Sequence, residues 1–146
     1  MTHRFVIEGE PRGKERARTV RQGGKIHSYT PKRTAIYEAQ VRHMYEEAGG
    51  VMYETAPVAI DIEAYYGVPK SKSAEAKRRL LTEDKPTKKP DIDNIAKIIC
   101  DGLNGTAYKD DKQVVSLKVT KRWAKDDKPC VKVWVQAVNA EWETPE

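Results

Sequence analysis

The chain reads as an α/β (α+β) protein, with a small mixed β-sheet and two main helices packed on it. Three patterns predict this. Residues 56–66 alternate apolar and polar side chains, as a half-buried strand does. Two stretches, 30–48 and 93–103, repeat apolar residues at helical spacing. Two further strand-like runs, Val114 to Ala124 and Cys130 to Ala137, follow the second helix.

Taken in order, Arg4 to Glu10 forms a first strand, stopped by Pro11. Thr19-Val20-Arg21 and Lys25 to Tyr29 flank Gln22-Gly23-Gly24 as a hairpin. Thr30-Pro31 starts a helix, the Thr hydroxyl as N-cap and Pro at the first helical position. Ile36, Tyr37, Gln40, Val41, Met44, Tyr45 and Ala48 trace one face of it, so both tyrosines are expected in the core, and Gly49-Gly50 ends it. In the 56–66 strand, Val58, Ile60, Ile62, Ala64 and Tyr66 face inward, and Asp61 and Glu63 lie on the exposed face. Ser71-Lys72-Ser73 caps a short basic helix, Ala74 to Leu81, and Lys85 to Pro90 is a loop. Gly102 and Gly105 are expected to end the helix and turn the chain back. Cys130 to Ala137 is expected to pair antiparallel with Val114 to Ala124 across a turn at Lys125 to Lys128.

At 146 residues the chain is expected to be one domain, 1–140, with a short tail at 141–146. No run of apolar residues is long enough to span a membrane, and Met1-Thr2-His3-Arg4 leads into a strand without the apolar core of a signal peptide. Cys100 and Cys130 are too few and too far apart for a disulfide framework or a zinc ribbon. A cytoplasmic protein with free thiols is the expectation.

The net charge of +5 favours a polyanionic partner, and its distribution says more. One basic run holds Arg12, Lys14, Arg16, Arg18, Arg21, Lys25, Lys32 and Arg33 against Glu15 alone. A second holds Lys70, Lys72, Lys77, Arg78, Arg79, Lys85, Lys88 and Lys89 against Glu75, Glu83 and Asp84, and leads into an acidic cluster. Solvated loops explain either run alone. Two runs beside an acidic cluster favour phosphate binding.

That cluster organises the chain. Asp91 and Asp93 stand two apart at a helix start, Lys97 follows one turn on, and Asp110-Asp111 arrives a helix length later, before a strand. Asp93 is read as the N-cap, with Asp91 in extended chain after Pro90. At about 100° per residue, Ile95, Ile98, Ile99 and Leu103 span roughly 140–280° from Asp93, whereas Asn94, Lys97 and Asp101 stay within roughly 0–100°. One face is buried and the other is polar. Hard oxygen donors without a His or Cys cluster point to Mg²⁺, with Mn²⁺ as an alternative, and to metal-assisted phosphodiester chemistry. Lys97 is placed to orient water or to stabilise transition-state charge; an i, i+4 ion pair with Asp93 or Asp101 accounts for it equally well. Asp126-Asp127 needs only turn chemistry.

Pro90-Asp91-Ile92-Asp93-Asn94-Ile95-Ala96-Lys97, then Asp101-Gly102-Leu103-Asn104, then Asp110-Asp111-Lys112-Gln113-Val114-Val115 resembles the RusA-type Holliday-junction resolvases of bacteria and their prophages. Gly9-Glu10-Pro11 and Tyr29-Thr30-Pro31 extend the resemblance over residues 4–120, densest at 89–116. The resemblance implies a homodimer that binds branched DNA, the four-way junction above all, and nicks two strands symmetrically. It implies Asp91, Asp93 and Asp111 as Mg²⁺ ligands, Lys97 as the catalytic lysine, and Asn94 and Asp110 as supporting residues. DNA arms would lie on Arg12, Lys14, Arg16, Arg18, Lys25, Lys85, Lys88 and Lys89. Alternatives are a nuclease for forks or flaps and a non-catalytic DNA-binding module. A calcium loop beginning at Asp91 would need Gly and Glu where Ala96 and Gly102 stand.

Overall fold

The two most apolar strands lie side by side in the middle of the sheet. A computed structural model describes residues 2–143. In it β1 (Thr2–Glu8), β6 (Cys130–Ala137), β4 (Val58–Tyr66) and β5 (Val114–Trp123) form a mixed sheet in the order β1-β6-β4-β5. β6 is antiparallel to both neighbours, and β4 and β5 run parallel. β2 (Arg18–Gln22) and β3 (Lys25–Tyr29) make the expected hairpin as a separate two-stranded sheet, and every one of its residues is exposed. Helix α1 (Lys32–Glu47) and helix α3 (Ile92–Leu103) supply the main helical layer, and α2 (Ala74–Glu83) has no buried residue.

The core follows the expected periodicities. Ile60, Ile62 and Ala64 of β4 stand opposite Val135, Val133 and Val131 of β6, all on one face. Phe5 and Ile7, Tyr37, Val41 and Tyr45, and Ile95, Ile98, Ile99 and Leu103 close on that face. Each such side chain, fully buried, contributes about 1.5–3 kcal/mol relative to exposure. Asp61 and Glu63 lie on the opposite face, where Glu63 accepts from the Tyr65 hydroxyl and lies 3.8 Å from Arg122. Ser73 caps α2 as expected, accepting from the Ala76 N–H at 3.2 Å.

Five expectations need correction. β6 does not pair with β5, because β4 lies between them. Residues 124–129 have ample reach to step over one strand, about 10 Å, and doing so brings the valines of β6 against the isoleucines of β4. Pro31, not Thr30, is the N-cap of α1, and no side chain caps it. The face expected of α1 splits in two: Tyr37, Val41 and Tyr45 are buried with Thr34, whereas Ile36, Gln40 and Ala48 are exposed beside β1. Asp91, not Asp93, is the N-cap of α3; its carbonyl accepts from the Ile95 N–H at 3.0 Å, so Asp93 lies within the first turn. Gly102 does not end α3 but is a buried residue within it. A Cβ there would stand 2.9 Å from Val41 Cβ and 3.2 Å from the Glu38 carbonyl oxygen. The chain turns at Gly105 instead, whose φ is +83°. The expected tail lies partly outside the described residues; within them, the Trp142 N–H donates to the Asn139 carbonyl at 3.1 Å.

Alanine is the better helix former by about 1 kcal/mol. Even so, Gly102→Ala is expected to lower the thermal midpoint, because overpacking at a contact this close costs about 1–3 kcal/mol. A raised midpoint would show that α1 and α3 separate at no cost.

Candidate active site

Helix α3 delivers the acidic motif to two adjoining depressions. Asp93 follows Asp91 by two residues, about 200° further round the helix axis. Asp93, Lys97 and Asp101 therefore turn toward β5, where they line a groove of about 530 Å³ with Asp111 and Leu117. Asp91 and Asn94 turn the other way, into a cavity of about 590 Å³ walled by Arg12, Lys14, Arg33 and Lys89. Neither acid is used up in capping, since Asp91 makes no side-chain bond to the helix start.

The Asp110-Asp111 pair is divided by role. Asp110 caps the 3-10 turn Asp111–Gln113, accepting from the Lys112 N–H at 3.0 Å. That bond, with the adjacent Asp111 carboxyl, holds Asp110 below the usual carboxylate range. Asp111 is the member of the pair that lines the groove. Gln113 fixes the whole turn. Its side-chain oxygen accepts from the Lys109 and Asp110 N–H groups, each at 3.0 Å, and its amide donates to the Tyr53 and Ala56 carbonyls at 2.8 and 3.0 Å. The glutamine of the motif is thus a clamp.

Lys97 pairs with Asp101 at 3.2 Å, the ion pair open as an alternative from sequence, while remaining 58% exposed. Asp101 is shared, because Lys14 reaches it at 3.0 Å and Glu38 at 2.8 Å. Partial burial acts to lower the Lys14 pKa, but its hydrogen bonds to Glu38 and Asp101 prevail and raise it. Burial pushes the neighbouring Cys100 thiol up to about 11, so it stays protonated at neutral pH. Gly13 lets the segment carrying Lys14 approach closely: a Cβ there would stand 2.8 Å from Pro90 Cβ and 3.0 Å from Asn94 Cβ.

Among the described residues, no three His, Cys, Asp or Glu side chains converge as a metal-holding group. With Asp101 committed to two lysines, the oxygen donors remaining in the groove are Asp93 and Asp111. One or two carboxylates, completed by water and substrate phosphate oxygens, are the donor set that suits Mg²⁺. The residues fit such an ion.

The family described as Endodeoxyribonuclease RusA matches residues 8–136. The chain belongs to the RusA endodeoxyribonuclease family. It is also 35% identical over 140 residues to "Uncharacterized protein YqaN" of Bacillus subtilis (strain 168), covering 94% of this chain and 97% of that one. In this RusA-family fold Asp91, Asp93 and Asn94 lie at the start of α3, Lys97 one turn on, Asp101 to Asn104 at its end, and Asp110 and Asp111 at the turn before β5.

The basic residues are more dispersed. Arg12 and Lys89 share the Asp91 cavity, Arg18 and Lys25 sit on the exposed hairpin, and Arg16, Lys85 and Lys88 are exposed on loops. Lys14 differs from the others in being tied to two carboxylates. Sequence reasoning assigned no site role to Asp101, Glu38, Arg33 or Thr34. Asp101 had a signal, its i, i+4 spacing from Lys97; Glu38 had none. No helix among the described residues is long and apolar enough to cross a membrane.

Because the folded-state pKa of Lys14 lies above its ordinary 10.5, its ion pairs contribute in full below pH 10.5 and are lost as the pH climbs through the folded-state value. Lys14→Met is expected to lower the thermal midpoint at neutral pH, and its gap to the unsubstituted protein should close only on the alkaline side of 10.5. A gap unchanged across that alkaline range would mean that Lys14 acts by packing alone.

Proposed function

We propose that this RusA-family chain is a divalent-metal-dependent endodeoxyribonuclease that resolves four-way DNA junctions by paired symmetric nicks. The observation that carries this reading is the grouping of Asp93, Lys97 and Asp111 along one groove, with Asp91 at the adjoining helix start. Asp93 and Asp111, with Asp91 beside them, would hold Mg²⁺ or Mn²⁺. When bound, such an ion supplies positive charge to the scissile phosphate and makes water a better nucleophile.

The chain's own residues do the rest. Lys97, exposed at the groove, presents its ammonium to a non-bridging phosphate oxygen, where negative charge grows as the bond to water forms. Leaving Asp101 for the phosphate leaves that carboxylate still paired with Lys14. Asn94 and the capped Asp110 keep the helix start and the turn in place. Exposed Arg12, Arg16, Arg18, Lys25, Lys85, Lys88 and Lys89 supply sequence-independent phosphate contacts. Two symmetry-related cuts call for two equivalent sites, which a twofold homodimer provides.

The test is Mg²⁺-dependent cleavage of a synthetic four-way junction, beside duplex, fork and flap DNA of the same sequence. Paired nicks confined to the junction are expected. Asp93→Asn and Lys97→Met should each slow them by about 10²–10³-fold or more while leaving junction affinity nearly unchanged. Equal cutting of forks and flaps would replace the junction by branched DNA in general. Junction binding with no cleavage in Mg²⁺ or Mn²⁺ would leave a DNA-binding module instead.

A further inference from the structure

The cavity on the Asp91 side of α3 adds Arg33 and a helix start to the Arg12 and Lys89 that the nuclease reading already uses. Helix α1 begins at its wall. It has no side-chain cap and no acidic residue in its first turn, so the N–H groups of Lys32, Arg33 and Thr34 lack intrahelical partners. Their dipole end is reinforced by the side chains of Arg33, Arg12 and Lys89, which line the same cavity. None of those three forms an ion pair among the described residues. Two acids share the cavity: Glu15, which lies 3.9 Å from Arg18, and Asp91.

An independent observation comes from Thr34. The residue is 2% exposed, it lines the cavity, and its Oγ1 has no hydrogen-bond partner among the described residues. A buried hydroxyl left without a partner costs about 1–3 kcal/mol. A phosphate oxygen that reached this hydroxyl from the cavity would supply the missing acceptor.

Helix N–H groups, a hydroxyl and unpaired guanidinium and ammonium groups are the donors that recognise a phosphate. We infer that the cavity formed by the start of α1, Thr34, Arg33, Arg12 and Lys89 is a second phosphate subsite, which holds a DNA phosphodiester neighbouring the scissile one. This rests on the nuclease reading only in that DNA supplies the phosphate. Asp91 lines the cavity and Asp93, two residues on, lines the groove, so a strand seated in the cavity would cross the start of α3 to reach Asp93 and Asp111. The subsite would fix which phosphate arrives at the groove, a register function separate from the general attraction of the exposed lysines.

The test is binding, free of cleavage. Four-way junctions carrying one uncharged methylphosphonate linkage, moved position by position along each strand, are titrated by fluorescence anisotropy without divalent metal. One linkage is expected to weaken binding by the unsubstituted protein about tenfold. That same linkage should cost Arg33→Gln and Thr34→Val less than it costs the unsubstituted protein, while all other linkages cost the three proteins equally. The slope of log affinity against log salt should fall in Arg33→Gln by about one per protomer, about two for a homodimer. Methylphosphonate penalties that simply add to those of both substitutions at every position would overturn the subsite, as would failure to bind junctions at all. A protein that cuts junctions without this coupling keeps the nuclease reading and loses the subsite. One that shows the coupling and never cuts keeps the subsite as a DNA contact.

Discussion

Gly102 leaves α1 and α3 with no side chain to hold them apart, and the contact at Val41 that results fixes how α3 is turned about its own axis. Helix rotation decides what each face presents. With Ile95, Ile98, Ile99 and Leu103 driven into the core, the polar residues of α3 have one orientation available. Asp93, Lys97 and Asp101 then face β5, and Asp91 and Asn94 face the segment around Gly13. The apolar stripe supplies the free energy, and the glycine supplies the angle. The placement of Asp93 and Asp111 along one groove is in this way referred back to core packing.

The electrostatics of the groove follow the same economy. Asp101 is shared between Lys14 and Lys97, and Lys14 is itself shared between Asp101 and Glu38. Of the two lysines, the one nearer solvent is Lys97, and it can move without stranding a half-buried carboxylate. A lysine held by a single private partner would be costlier to redirect. The same segment that carries Lys14 also donates its N–H to the Asn94 carbonyl at 2.9 Å, so the helix start and its counter-charge are tied by backbone as well.

Much of this was legible in the chain because it rests on local pattern. The α3 stripe, the alternation in β4 and β6, the β2–β3 hairpin and the Ser73 cap all follow from spacings within a dozen residues. What escaped was set by distant partners. The place of β4 between β5 and β6 depends on which strands bury most against each other. The N-caps slipped because Pro31 and Asp91, with extended backbones, take the position that hydroxyl and carboxylate preferences suggested for their neighbours. The acidic residues and Lys97 were singled out from the motif, and of the two ion-pair partners open to Lys97, Asp93 and Asp101, the structure has Asp101. Glu38 and Thr34 could not be found, since their roles exist only when α1 is laid against residues 11–14.

The hairpin β2–β3, like α2, adds no buried residue to the fold. Val20, Ile26 and Tyr29 are exposed, at 42%, 64% and 48%, and none of its residues joins the core. Two strands alone are marginally stable in water. The hairpin therefore opens and closes at little expense to the global stability, and its length and composition are decoupled from the requirements of folding. Sequence change is tolerated there at small cost to stability, while the carboxylate groove remains under the stricter control of the packed helices.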